Sequence, residues 1–156
     1  MQPGIVALAF ALLAGCAAGV GQNSSDLDCK FRHRVREVGS FQKMPAAIQD
    51  YLKPKFNFDD PHTGGIAPKG GKWNATDVVL EDAPFRRFIR AGHDGGKWFL
   101  WWERGGIAYW REQAVFALEG GKVTVIAHAM LPATNPCEAT DAILDGRPPS
   151  GGEVPW

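Results

Sequence analysis

The chain has 156 residues, and its 17 acidic side chains balance its 17 basic ones, so no net field calls for nucleic acid or an anionic bilayer as partner. Six Trp and nine Phe against two Tyr supply a large apolar payload, while 19 Gly and 11 Pro point to many turns and an antiparallel, loop-rich fold. Past the apolar run near its start, no stretch is long enough to cross a membrane as a helix.

Residues 1–25 carry no charged side chain, and the first charge is Asp26. Within them an apolar run from Ile5 to Cys16 has the size of a signal-peptide core and is too short to span a bilayer. Gly4, Gly15, Gly19 and Gly21 argue against reading it as a packed helix. The run ends in Leu13-Ala14-Gly15-Cys16. These four residues resemble the lipobox of bacterial lipoprotein precursors, and the resemblance covers the signal alone. It implies removal of residues 1–15, a diacylglyceryl thioether on Cys16, and a domain held at a membrane and facing the periplasm. Ala17, where some lipoproteins carry an inner-membrane retention Asp, favours the outer membrane. Met1-Gln2-Pro3-Gly4 lacks the basic residues that usually open such signals. A cut by an ordinary signal peptidase between Ala14 and Gly19, giving a soluble periplasmic or secreted protein, stays open.

The three cysteines are Cys16, Cys29 and Cys137, and an odd count in an exported chain needs a reason. If Cys16 takes the lipid, Cys29 and Cys137 are left to pair in an oxidising compartment. A loop of that length is worth on the order of 4–5 kcal/mol in the chain-entropy picture. Two unpaired buried thiols are the alternative. No CxxC or Cys/His spacing marks a zinc site, and no cofactor is implied.

Residues 17–28 are small and polar and read as a tether, so the lipid-anchored stretch is 16–28 and the folded domain 29–146. From Cys29 to Val38, Lys30, Arg32, Arg34 and Arg36 alternate with Phe31, His33 and Val35, a strand period. Met44 to Leu52 reads as a short helix that Pro54 stops. Residues 55–75 form a long loop. Candidate strands follow at 76–81, 85–91, 97–104, 107–119 and 122–131, broken by Asp94-Gly95-Gly96, Gly105-Gly106 and Gly120-Gly121. Asn135-Pro136-Cys137-Glu138 opens a second helix that Gly146 ends. Residues 147–156 show no pattern and are expected to be loosely held. The predicted class is α+β: a short N-terminal helix on an antiparallel meander of about five strands, one disulfide, and a short C-terminal helix. The plan is cystatin-like by fold analogy, which implies no activity.

Two-residue turns at Gly105-Gly106 and Gly120-Gly121 set Trp102 opposite Tyr109, Leu100 opposite Arg111, and Gln113 opposite His128. One face then gathers Phe99, Trp101, Phe116 and Val125 as core, together with Glu103 and Glu112. The other gathers Trp98, Trp102, Tyr109, Arg111 and His128, a mixture of aromatic area and polar groups suited to binding a ligand. A second structural layer, the 55–75 loop or the C-terminal helix lying over those aromatics, is the competing reading.

Candidate chemistry is sparse. His33, His62, His93 and His128 have no metal spacing, and His128 or His93 beside Glu103 or Glu112 would suit a small hydrolase only if a nucleophile joined them. Ser40-Phe41-Gln42-Lys43 lacks the companion motifs of penicillin-binding enzymes. Leu131 to Asn135 lacks the apolar segment and basic tail of a sortase signal, and the sequon at Asn74 has no meaning in a typical bacterial envelope. The row Lys30, Arg32, Arg34, Arg36, joined by Arg86, Arg87 and Arg90, suits anionic envelope polymers or lipid phosphates. The expected function is therefore non-catalytic binding of an envelope protein or anionic polymer by a lipid-anchored domain, with an unliganded structural protein as a further reading.

Overall fold

The computed structural model describes residues 27–156. The signal, Cys16 and the tether as far as residue 26 lie outside the described residues. The domain is α+β. One antiparallel sheet runs β1 (Arg36–Val38), β2 (Arg86–Asp94), β3 (Lys97–Arg104), β4 (Trp110–Glu119) and β5 (Lys122–Met130), in spatial order β1-β2-β3-β4-β5, with helices α1 (Ala46–Leu52) and α2 (Pro136–Leu144) outside it. The meander order follows from tight turns between apolar runs. At Gly120-Gly121 both residues have positive φ, 55° and 81°, as a type I′ hairpin requires, and Glu119 pairs with Lys122.

Both faces of the sheet are covered. Phe88, Leu100, Trp102, Ala114 and Phe116 lie beneath α1 and its flanks, against Phe41, Met44, Ile48, Leu52, Phe56 and Ile66. Phe99, Trp101, Val115 and Ala127 lie on the opposite face, against Leu131, Ile143 and Leu144 with Cys29, Phe31 and Val35 of the N-terminal segment. A strand packed on both faces loses the polar alternation of a solvated sheet. That is why β3 reads Trp98-Phe99-Leu100-Trp101-Trp102 without interruption. Each such side chain, taken fully from water, contributes roughly 1.5–3 kcal/mol.

The Cys29–Cys137 disulfide is formed, with Cα atoms 5.9 Å apart across 108 residues of sequence. It fastens the N-terminal segment to the start of α2. Beside it, the backbone N–H groups of Arg32 and His33 donate to Asp141.

Several expected elements take other shapes. The strand expected over 29–38 is confined to Arg36–Val38, because the segment before it packs onto α2. Residues 76–81 are not a strand. The buried Asn74 side chain donates to the carbonyls of Leu80 and Ala83 and accepts from the Leu80 N–H, closing the segment into a loop. The 55–75 stretch is a covering layer, since Phe56 and Ile66 are core residues and Ala67 bridges Arg87 in parallel. The segment 147–156 is tied to β5: the Val154 N–H donates to the His128 carbonyl at 2.9 Å, and Glu153 bridges Ala129.

The β3–β4 register is the largest correction. Gly105 donates its N–H to the Phe85 carbonyl, so 105–109 forms a longer connection with Ile107 fully exposed. Trp102 therefore pairs with Glu112, not Tyr109, and Leu100 with Ala114, not Arg111. A displacement of three residues, being odd, exchanges the faces. Across β4–β5 the turn register holds as far as Phe116–Val125. A bulge beyond it then sets His128 opposite Ala114 in place of Gln113.

Candidate functional site

The five residues expected to share a binding face separate into three places. Tyr109 and Arg111 sit with Glu103, which pairs directly with Arg111, accepts from the Tyr109 hydroxyl at 2.9 Å and is bridged by Arg87. Burial, then the charge of Glu103, raises the Tyr109 phenol above its ordinary range. Tyr109, Glu103 and Arg87 close on one another, while the Arg111 guanidinium has no ion-pair partner among the described residues.

Trp102 and His128 lie in the buried layer beneath α1. Glu112 is there as well, almost completely buried. His128 Nε2 donates to Glu112 Oε2 at 2.9 Å. Glu112 Oε1 accepts from the Trp110 indole N–H and from Arg104 at 3.3 Å. Burial alone would raise the Glu112 carboxyl. The hydrogen bonds from His128 and Trp110, with the charges of His128 and Arg104, outweigh that and hold it below the usual range. Arg86 nearby is lowered to about 10, by burial first and then by Arg104. A carboxylate that orients an imidazole is half of a catalytic triad. Among the described residues, however, no hydroxyl or thiol hydrogen-bonds to this pair, and the Trp156 ring stacks on His128 at 3.9 Å. The hydrogen bonds satisfy the Glu112 carboxylate within a core, as a buried ion requires.

Trp98 shares that face of β3 with Trp102 and packs, half-buried, against the same cluster, but at the other end of the strand. Arg36 pairs with His93, His93 with Trp98, and Trp98 with Phe116, so a single row crosses the sheet from its open β1 edge inward. The His93 and Trp98 rings stack at 4.3 Å and 20°, and His93 Nδ1 donates to the Gly95 carbonyl at 3.2 Å. Arg34, Arg36, His93, Asp94 and Gly95 line a shallow cleft of about 390 Å³. Asp94 is already engaged by His33 Nδ1 at 2.7 Å.

The expected cationic patch is thinned by internal pairing. Arg32 pairs with Asp145, Arg87 with Glu103 and Arg90 with Glu37, while Arg86 donates to the Lys55 carbonyl. Arg34 and Arg36 are exposed and have no ion-pair partner among the described residues. They stand beside the His93–Trp98 stack, where both an anion and a planar group have something to contact.

His33 lies on the far side of Asp94, outside that cleft, beside Lys97 and Leu144. Its Nε2 also donates to Asp145, at 2.8 Å. Clasped first by Asp94 and then by Asp145, its pKa is raised. Sequence reasoning placed His93 only as a weak catalytic candidate and overlooked the stack, because Trp98 and His93 become neighbours only through the β2–β3 hairpin register. It also overlooked Tyr51, Lys55 and Trp156, which meet over His128 from segments far apart in sequence.

Among the described residues no helix is long and apolar enough to cross a membrane, and no cluster of His, Cys, Asp and Glu is arranged to hold a metal ion. The geometry defines a disulfide-closed α+β domain with one basic, aromatic edge. Searches against protein-family models, curated proteins and solved structures gave no match.

Proposed function

We propose that this chain is a non-catalytic, lipid-anchored envelope domain that binds an anionic envelope polymer at the Arg34–Arg36–His93–Trp98 edge. The observation that carries it is the pair of exposed, unpaired guanidiniums beside a stacked imidazole and indole. Guanidinium forks suit phosphate and carboxylate groups, and an aromatic platform suits the apolar face of a sugar ring or a planar group. The lipobox-like Leu13–Cys16 and a disulfide that needs an oxidising compartment support export.

A titration with a phosphorylated bacterial polysaccharide tests the reading. Arg34→Ala with Arg36→Ala is expected to weaken binding by roughly tenfold or more and to flatten its salt dependence. Equal binding by the wild type and the double variant would refute it. Intact mass of membrane-extracted protein tests the anchor separately: an acylated chain beginning at Cys16 is expected, and an unmodified chain beginning within 15–20 would remove the lipid from the account.

A further inference from the structure

The segment that ends at Trp156 occupies something that has the form of a binding site. β5 is an outer strand of the sheet, and 152–154 lie along it as a short antiparallel addition. The Met130 N–H donates to the Gly152 carbonyl, and the Val154 N–H to that of His128. Gly151 packs so closely that a Cβ there would meet the Met130 carbonyl oxygen at 2.1 Å. Further along the same edge, residues 122–127 have no second strand partner among the described residues.

Trp156 is the side-chain anchor. Its ring stacks on His128 at 3.9 Å and runs nearly parallel to Trp102 at 11°. Tyr51 meets its edge at 5.9 Å, and the Lys55 ammonium lies 5.3 Å from its centroid. It remains 40% exposed, so it fills the mouth of this recess and does not belong to the interior. The floor is rigid, because His128 is held by Glu112 and buried, and its Nδ1 has no hydrogen-bond partner among the described residues. A free strand edge beside a preformed aromatic pocket is the architecture by which extended peptides add to sheets: backbone bonds supply affinity and one pocket supplies selection.

We propose that the β5 edge and the aromatic recess over His128 form a docking site for an extended peptide segment bearing a large aromatic side chain, and that residues 151–156 fill it in cis. This site is distinct from the basic edge at Arg34 and Arg36 and does not depend on what binds there.

The test opens the recess in the full chain. Trp156→Ala removes the occupying ring. Gly151→Ala keeps the ring but forces the segment off Met130. Far-UV circular dichroism and the thermal midpoint verify that each is folded. Two fluorescent peptides serve as probes, one copying residues 150–156 and one a Thr/Val-rich strand with a single central Trp. Both are expected to bind each opened variant at least tenfold more tightly than the wild type. Replacing the probe's Trp by Ala, or adding Tyr51→Ala to the opened chain, is expected to abolish that gain. Equal binding to opened and wild-type chains overturns the proposal. Binding of the 150–156 copy alone also overturns it, since the recess would then be a seat for its own segment and no docking site.

Discussion

Two polar regions of this sheet use similar residues to opposite ends. Under α1, the buried Glu112 carboxylate is answered by His128, Trp110 and Arg104. At the β1 edge, Arg34 and Arg36 stand beside the His93–Trp98 stack with no ion-pair partner among the described residues. Residue type does not separate the two, since each holds Arg, His and Trp. What separates them is whether the charges close among themselves. A closed set stabilises and is inert, whereas an open set on an exposed edge leaves its binding capacity unused by the fold.

The largest loss of stability is expected at the covalent staple, which lies on the face of the sheet opposite Glu112 and His128. Cys29→Ser with Cys137→Ser should lower stability by about 4–5 kcal/mol in the chain-entropy picture, read as a shift of the denaturant midpoint. Next, Glu112→Ala leaves the buried His128 Nε2 without its hydrogen-bond partner. Leaving a buried polar group unsatisfied in this way typically costs about 1–3 kcal/mol, and the same denaturation curve reports it. If Glu112→Ala unfolds no more readily than the wild type, the closed region is not the structural element described.

A smaller effect concerns pH. The His33 pKa is raised by Asp94 and Asp145. Its contribution is therefore fully present below the ordinary histidine range near 6.5 and is lost as pH rises through the raised value. Asp145, lowered to about 2 by Arg32 first and then His33, keeps its part down to strongly acid conditions. Amide exchange of residues 31–35, corrected for intrinsic rates, should quicken as His33 loses its proton, and His33→Gln should remove that step. Smallest of all is the effect of Arg34→Ala with Arg36→Ala on stability, within about 0.5 kcal/mol for exposed, unpaired side chains, even while binding is lost.

The sequence reveals the sheet better than it reveals the site. Period-two alternation and Gly-Gly breaks place β3, β4 and β5 closely, and cysteine parity pairs Cys29 with Cys137, because these signals are local or countable. The layer over Trp102 was legible only as the competing reading, in which the 55–75 loop covers those aromatics: Phe56, Ile66 and Trp156 show no periodicity that would have selected it, and their burial depends on where a long connection folds back. The face assignment failed for two physical reasons: a bulge between Val115 and Phe116 sets His128 opposite Ala114, and the β3–β4 connection is longer than a two-residue turn. Gly105 bonds to Phe85 and lengthens the β3–β4 connection by an odd number of residues, which moves Tyr109 and Arg111 away from Trp102 and His128. The basic residues of the edge were visible as a row, but which of them stay unpaired depends on carboxylates such as Glu37 and Glu103 that meet their arginines only in the folded chain.

The division between a closed interior pair and an open edge is tested most directly by nitrogen-15 NMR of the labelled domain during titration with the phosphorylated polysaccharide. The account predicts shift changes confined to residues 34–36 and 93–98, saturating with polymer and absent in Arg34→Ala with Arg36→Ala. Changes centred on Glu112, Ala114 and His128, with the edge silent, would contradict it.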